Sequence, residues 1–269
     1  TSGLLRRAVP AIHVERPFLS AVDGPRGAHD GRYVRDPSID DLKEWMEAAR
    51  WLRKVVTIAP ERKGAIEFIS EAVKHGITVA IGHSAATPEE VDAAVAAGAT
   101  LSTHLGNGSH AELPRLKNYL WQQLADDTLQ AGIIADGYHL PPSFMKGLYR
   151  TKGLERIILV SDVAPIGGSK PGTYSWGDIT TEVHPDGHIS LAGTPFLAGA
   201  GHLLDRCIAQ FANATGETIT NILPLVSTNG DELLGTQGSG AIQEGSPVNV
   251  TVFRWRAGGQ TVDVEQTLL

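Results

Sequence analysis

The stretch VAIGHSAATPEE (residues 79–90) is an apolar run that stops at a glycine and then shows a histidine. Helix start signals follow directly, with Thr87 as the N-cap, Pro88 at the first helical position and Glu90 at the third. The stretch therefore predicts a buried strand, a short polar loop and a helix. His83 then lies at the carboxyl end of the strand.

The same arrangement recurs along the chain. Five further apolar runs end on groups that can bind a metal or move a proton: VPAIHVERP (9–17), VVTIAPE (55–61), ATLSTHLGN (99–107), AGIIADGYH (131–139) and IILVSD (157–162). Helical patterns lie between them, over residues 38–53, 62–76, 87–98 and 141–153. Alternation at about 20 to 30 residues per unit predicts an α/β fold with a parallel sheet, in which chemistry sits at the carboxyl ends of the strands.

The pattern changes after Asp162. Residues 172–192 alternate and contain the turn Pro185-Asp186-Gly187, which predicts a β-hairpin insertion. Residues 201–216 and 218–235 read as helices, and two strands are expected within 246–255 and 260–269. We therefore expect an α/β unit over residues 1–236 and a separate pair of strands over residues 237–269.

Composition restricts the classes of function. The 269 residues carry a formal net charge of -7, which argues against nucleic-acid binding, since a basic face is normal for that role. Cys207 is the single cysteine, so an intrachain disulfide and structural metal sites built on two or four thiolates are excluded. No apolar run approaches the ~20 residues that span a bilayer. We expect a cytoplasmic protein that binds no membrane.

Four strand ends suggest a catalytic centre. Glu15, His83 and His104 supply one carboxylate and two imidazoles, a ligand set suited to zinc or a similar divalent ion. Asp162 is then free to act as general base and afterwards as general acid. Each residue alone has a structural explanation, but four at corresponding strand ends favour a metal site. Glu61 is the alternative carboxylate ligand.

Other polar residues are candidates for substrate contact. His29, Arg115 and His139 could bind substrate or could be solvated loop residues. The sequence GNGS (106–109) could present backbone N–H groups to an oxygen ligand, although Gly-Asn-Gly is also a common turn.

Five motifs in order resemble the N-acetylglucosamine-6-phosphate deacetylase family of the amidohydrolase superfamily. They are HVERPFLS…GAHD, IGHSAAT, THLGN, IADGYH and LVSD, which are similar to that family's HLEGP…GAH, GHSNAT, THLFN, IADGVH and LVTD. The resemblance implies a TIM-type (β/α) barrel of a metal-dependent hydrolase over residues 1–236 and strands of a small β-sandwich over residues 237–269. It also implies a divalent metal (zinc favoured, iron or another ion as alternatives) on Glu15, His83 and His104, and catalysis by Asp162.

The resemblance also implies a substrate and an assembly. His29, the amides of Asn107 and Gly108, Arg115 and His139 would touch an amino-sugar phosphate, and the protein would be a homodimer in which Arg115 can serve the neighbouring site. The implied reaction is hydrolysis of the acetamide of a sugar such as N-acetylglucosamine 6-phosphate. The alternatives are an amidohydrolase for another N-acyl or cyclic amide, and an inactive ligand-binding homologue.

Three departures from the family pattern are visible. The family's first two barrel strands, with their His-x-His motif, have no counterpart, so we expect six barrel strands. Arg16 stands where the family has glycine, beside Glu15. The sequence THLGNGS lacks the family's aromatic residue and methionine, which predicts a different sugar pocket.

Overall fold

The six predicted strands form one parallel sheet whose neighbours follow chain order. The computed structural model describes residues 8–236, 242, 244–245 and 250–268. The strands are β1 (Ala11–Val14), β2 (Arg53–Ile58), β3 (Thr78–Ile81), β4 (Leu101–Ser102), β5 (Gln130–Ile133) and β6 (Ile157–Leu159). The sheet curls into a partial (β/α) barrel, as expected, so all six carboxyl ends open on one face.

Helices cover the outer surface of the sheet. They are α1 (Ile39–Ala49), α2 (Ala65–Lys74), α3 (Pro88–Ala96), α4 (Tyr119–Ala125) and α5 (Pro142–Lys152). The capping box predicted at residues 87–90 is present, since the Thr87 side chain accepts from the Glu90 N–H and the Glu90 carboxylate accepts from the Thr87 N–H. Local sequence therefore fixes where α3 begins, and with it the length of the loop that carries His83.

The two-residue period of the strands separates two packing layers. On the outer face, residues such as Val56, Val79 and Ile81 pack with Phe68 and Val91 of the helices. On the inner face, a smaller cluster forms at the level of Val55, Ala80 and Leu101, and Leu233 and Leu234 pack against it. Both faces are thus buried, which explains the continuous apolar runs in the sequence.

Gly82 marks the next inner position above Ala80, and only glycine fits there. A Cβ at this position would lie 2.6 Å from the Thr103 Cβ and 2.9 Å from the Thr57 Cγ2. The two threonine hydroxyls bond to each other at 2.7 Å, and His13 Nε2 lies 2.7 Å from the Thr57 hydroxyl. The glycine therefore lets a polar layer close across the barrel directly beneath the strand ends.

Residues 172–191 form three antiparallel strands instead of the predicted hairpin. The strands are β7 (Gly172–Trp176), β8 (Ile179–Val183) and β9 (Ile189–Leu191). The predicted turn at residues 185–187 connects β8 to β9, but a second, tighter turn at Gly177-Asp178 lies inside the stretch that was expected to be one strand. The hairpin prediction missed the turn at Gly177-Asp178 because this turn, unlike the one at residues 185–187, contains no proline.

The helices that follow are also divided differently. Residues 201–216 give α6 (Leu204–Thr215), close to expectation. The helix expected over 218–235 is split into α7 (Ile219–Ile222), a 3-10 turn (Leu223–Val226) and α8 (Thr228–Leu234). Pro224 lies in the 3-10 turn, where its missing N–H and its ring interrupt the helical hydrogen bonds.

The C-terminal pair of strands packs on the barrel. It comprises β10 (Val250–Arg254) and β11 (Asp263–Leu268), which are antiparallel; the predicted extensions at 246–249 and 269 lie outside the described residues. Phe253, Trp255 and Val262 join the apolar cluster that contains Phe211 of α6. The boundary proposed at residue 236 stays a prediction. No helix in the described part of the chain is long and apolar enough to cross a membrane.

Candidate metal centre and active site

Three strand ends bring Glu15, His83 and His104 together. One carboxylate oxygen of Glu15 lies 2.8 Å from the Nε2 atom of His104 and 3.3 Å from the Nε2 atom of His83. The three donor atoms that could bind a metal all lie within 4.8 Å of one another. The structure thus brings the three predicted residues together from three separate strand ends, in a cluster that could hold a metal ion.

The ring of His83 is held in one orientation. Its Nδ1–H donates to the Pro25 carbonyl at 2.9 Å, so Nε2 is the ring nitrogen that faces Glu15 and is left to bind a metal. Gly108 packs against the ring so closely that a Cβ there would lie 2.5 Å from Nδ1, and a Cβ at Gly27 would lie 3.0 Å from Cε1. Two glycines and one carbonyl therefore fix the imidazole in the tautomer and direction that a metal ligand needs.

The backbone is strained at the same residues. Of the described residues, four non-glycine residues have positive φ, and three of them are His83 (48°), His104 (28°) and Asp162 (49°). A left-handed backbone at a side chain with a Cβ costs free energy and clusters at functional sites. Three strand ends thus make the same unfavourable turn to direct their side chains toward the centre of the barrel mouth.

Electrostatics favour a charged carboxylate at the centre. Burial alone would raise the pKa of Glu15, but hydrogen bonds from His104 and His83 outweigh it and hold that pKa far below its usual range. Burial likewise lowers the pKa of His104, yet the Glu15 carboxylate more than offsets this and raises it. The carboxylate is therefore ionised and ready to neutralise a cation.

His29 lies at the cluster itself. Its Nε2 atom is 3.3 Å from the Nε2 atom of His83 and 3.7 Å from a carboxylate oxygen of Glu15. Burial, together with the neighbouring His83, lowers the pKa of His29 to about 4, so the ring is neutral at neutral pH. His29 is therefore placed to contact a ligand bound beside Glu15 and His83.

Asp162 follows β6 and is exposed to solvent. Its negative charge contributes to the raised pKa of His104. Its backbone carbonyl accepts the Ala200 N–H at 3.1 Å, a bond that anchors the strand end. The carboxylate is thus near the centre and accessible to water.

Glu61, the alternative ligand, has other partners. Its carboxylate accepts the Ser84 hydroxyl at 2.7 Å and the Ala85 N–H at 2.8 Å. These bonds fasten the loop that carries His83 to the end of β2. The geometry therefore favours Glu15 over Glu61 as the carboxylate ligand and gives Glu61 a supporting role.

The loop after β4 holds three of the predicted substrate contacts. The Asn107 N–H, which was expected to reach a substrate, donates instead to the His104 carbonyl at 2.9 Å, and its side-chain amide points to the same oxygen at 3.4 Å. Gly108 lies against His83, as described above. Arg115 is exposed, further along the loop. The first two residues therefore support the ligand histidines, whereas Arg115 is available to a ligand from solvent.

Gly106 stands where the resembling family has an aromatic residue. A Cβ at this position would lie 2.9 Å from the Phe144 Cε1 and 2.9 Å from the Leu140 Cδ2. Phe144, from α5, thus places an aromatic ring beside the loop from a different part of the chain. The missing aromatic side chain does not leave an open gap on that side.

His139 pairs with Asp136, a buried carboxylate that the motif analysis did not assign. His139 Nδ1 lies 2.8 Å from Asp136 Oδ2, and Asp136 is 1% exposed. Burial alone would raise the pKa of Asp136, but the hydrogen bond from His139 and nearby backbone N–H groups lower it. The spacing Asp-x-x-His at a strand end was the available sequence signal for this pair.

Comparisons with known proteins agree with the site. No protein-family profile matches the chain. It is 31% identical over 253 residues to N-acetylglucosamine-6-phosphate deacetylase of Danio rerio, and the match covers 91% of this chain and 62% of that protein. It is 28% identical over 242 residues to N-acetylgalactosamine-6-phosphate deacetylase of Escherichia coli O157:H7, covering 90% of this chain and 63% of that protein.

A solved structure shows the same architecture. A mutant of N-acetyl-D-glucosamine-6-phosphate deacetylase from Mycobacterium smegmatis, in complex with N-acetyl-D-glucosamine-6-phosphate, superposes with a TM-score of 0.78 at 30% identity. The superposition covers 86% of this chain and 62% of that one, so the chain spans about three fifths of the length of these relatives. In motifs, fold and site the chain is thus similar to the N-acetylglucosamine-6-phosphate deacetylases.

Proposed function

We propose that this protein hydrolyses the acetamide of an amino-sugar phosphate, with N-acetylglucosamine 6-phosphate as the first substrate to test. The observation that carries the proposal is the convergence of one carboxylate and two oriented imidazoles at the mouth of the barrel, where the donor atoms lie within 4.8 Å of one another. The family relatives act on N-acetylated hexosamine phosphates by their names, and they include both gluco and galacto sugars. The sugar therefore belongs to this class, with its stereochemistry open to test.

Glu15, His83 and His104 fit a divalent metal ion. Two nitrogen donors and one oxygen donor leave a further position open, as in catalytic zinc sites, so zinc is favoured over iron or another divalent ion. Because the Nδ1–H of His83 donates to the Pro25 carbonyl, its Nε2 is the ring nitrogen left to bind the ion. When bound, the ion supplies Lewis-acid polarisation of the amide carbonyl and acidifies water.

Asp162 is positioned to move protons. Its exposed carboxylate accepts a proton from the attacking water and then delivers it to the departing amine. The C–N bond breaks as the new C–O bond is completed, so the products are acetate and the amino sugar. Asp162 is not one of the three residues that could hold the metal, so its carboxylate is left for proton transfer.

The remaining predicted contacts surround this centre. His29 lies against the cluster and His139 stands at the end of β5, the neighbouring strand to β4 and β6. Because the net charge of -7 does not attract an anion, a preference for phosphate must arise locally, and Arg115 is an exposed candidate for it. The homodimer stays a prediction.

The first prediction concerns the metal ligands. Glu15→Gln and His104→Ala should each lower metal affinity by more than ~100-fold, because even groups that only orient a ligand typically contribute 10- to 100-fold. Metal content after dialysis, measured by plasma mass spectrometry, gives the readout.

Glu61→Gln is the matched control, since it makes the same chemical change at the neighbouring strand end. It should retain its metal, because the Glu61 carboxylate bonds Ser84 and Ala85. Full metal content in Glu15→Gln, with loss in Glu61→Gln, would show that the ligand assignment is wrong.

A second prediction separates catalysis from binding. Asp162→Asn keeps the size of the side chain but cannot accept a proton, so kcat for acetate release should fall by about 10²- to 10⁴-fold while the metal remains bound. Turnover of the variant within a few-fold of the parent would remove Asp162 from the mechanism.

A third prediction addresses the phosphate. Arg115→Ala should raise KM for the 6-phosphate sugar by roughly ten- to a hundredfold, since hydrogen bonds to charged groups contribute ~1.5 to 3 kcal/mol. KM for the unphosphorylated N-acetyl sugar should hardly change. Steady-state acetate release on both sugars provides the measurement.

Lys117→Ala is the control for that loop. The Lys117→Ala substitution also removes one positive charge, two residues from Arg115. The Lys117 Nζ atom already pairs with Glu89 at 2.6 Å, so we do not expect it to bind the phosphate. An equal KM effect of both variants, or an equal effect of Arg115→Ala on both sugars, would contradict a specific phosphate contact.

A further inference from the structure

The loop between β1 and α1 (residues 15–38) holds the ring of His83 in place. The Pro25 carbonyl accepts the Nδ1–H of His83 at 2.9 Å, and a Cβ at Gly27 would lie 3.0 Å from the His83 Cε1 atom. Earlier in the same loop, the Ser20 N–H donates to the His83 carbonyl at 2.8 Å. The orientation of the His83 ring therefore depends on the conformation of this loop.

One peptide group connects that ring to the internal structure of the loop. The peptide between Pro25 and Arg26 gives its carbonyl to His83. The N–H of the same peptide donates to the Val22 carbonyl at 3.0 Å. Because a peptide group is planar, the bond to Val22 also limits where the Pro25 carbonyl can point. The acceptor for His83 is thus part of a turn over residues 22–26.

The Arg26 side chain ties the two flanks of this turn together. Its Nη1 donates to the Ala21 carbonyl at 2.9 Å, and its Nε donates to the His29 carbonyl at 3.2 Å. Its Nη2 pairs with Asp23, whose side chain is 88% exposed, so that ion pair alone contributes little. The two carbonyl bonds therefore matter most, since they join a residue before the turn to a residue after it.

A guanidinium group suits this task for a chemical reason. Carbonyl oxygens only accept hydrogen bonds, and arginine offers five N–H donors in a rigid planar fork that stays charged at every pH at which the protein is folded. The ammonium group of a lysine is a single nitrogen on a flexible stem, so it cannot occupy the positions of Nε, Nη1 and Nη2 together. The geometry of Arg26 thus depends on the fork as well as on the charge.

We propose that Arg26 is a positioning residue that stiffens the turn over residues 21–29, so that the Pro25 carbonyl holds the His83 ring with Nε2 toward Glu15. Arg26 acts through Pro25 and contacts neither metal nor substrate. The inference rests on the proposed function only for the identity of the group that His83 binds.

NMR of the metal-free, histidine-labelled protein tests the hydrogen bond without metal or activity. The His83 Nδ1–H signal is assigned by its loss in His83→Gln, and in the parent protein it should be protected from exchange with solvent. Arg26→Ala should lose this protection, because the Pro25 carbonyl is no longer held in place. A protected signal in Arg26→Ala, or no protected Nδ1–H in the parent, would overturn the proposal.

Competition for Zn²⁺ between the protein and a coloured chelator tests the consequence for the metal. Arg26→Ala should bind Zn²⁺ about tenfold more weakly, at the low end of the 10- to 100-fold that groups behind a metal ligand contribute. The visible absorption bands of bound Co²⁺, which report ligand geometry, should shift in the same variant. Arg26→Lys should show the same loss as Arg26→Ala. Parental affinity in Arg26→Ala contradicts the proposal, and parental affinity in Arg26→Lys shows that charge alone suffices and contradicts it too.

Arg32→Ala is the matched control, because it removes the same charge from the same loop. Arg32 is 70% exposed and pairs with Asp30 and Asp178, outside the turn over residues 21–29. Its Zn²⁺ affinity and its protected His83 signal should equal those of the parent, with circular dichroism showing that both arginine variants are folded. Equal losses in the two variants would reduce Arg26 to a general contribution to loop stability and overturn its positioning role.

The outcome for Arg26 is separable from the outcome for the reaction. A protein that binds Zn²⁺ in a manner dependent on Arg26 but releases no acetate would leave this inference standing and defeat the proposed deacetylation alone.

Discussion

The contact between the Glu15 carboxylate and the Nε2 atoms of His83 and His104 is the constraint on which the rest of the structure depends. One oxygen serves both rings, at 3.3 and 2.8 Å. Partly buried charged and polar groups of this kind are costly unless each is satisfied, and a divalent ion between them would satisfy all three at once. Three strand ends must therefore deliver their side chains to one point.

Several unfavourable features of the chain follow from that requirement. His83, His104 and Asp162 adopt left-handed backbone conformations that non-glycine residues rarely take. Glycine is required at positions 82 and 108, where a Cβ would collide with threonines of the barrel layer and with the His83 ring. The chain accepts local strain at the mouth of the barrel, and the packed strands and helices beneath stabilise it.

The sequence predicted the elements whose signals are local and the site residues that end them. Six apolar runs became six strands in order, and the capping box at residues 87–90 set the start of α3. The turn at Gly177-Asp178 was missed because it lacks the proline that marks the turn at residues 185–187.

Features set by tertiary contact could not be read from the sequence. Asn107 turns its amide to the His104 carbonyl, and Phe144 fills the side of the loop where Gly106 has no ring. Such tertiary contacts determine which groups of the site can bind a ligand, whereas the pattern of apolar runs in the sequence indicates only where the site lies.

Anomalous diffraction from crystals of the zinc-loaded protein tests the central claim most directly. The account predicts one strong peak at the mouth of the barrel, about 2.0 to 2.2 Å from a Glu15 oxygen and from Nε2 of both His83 and His104. A peak bound to Glu61 instead of Glu15, or fully loaded protein with no peak between these three residues, would contradict it.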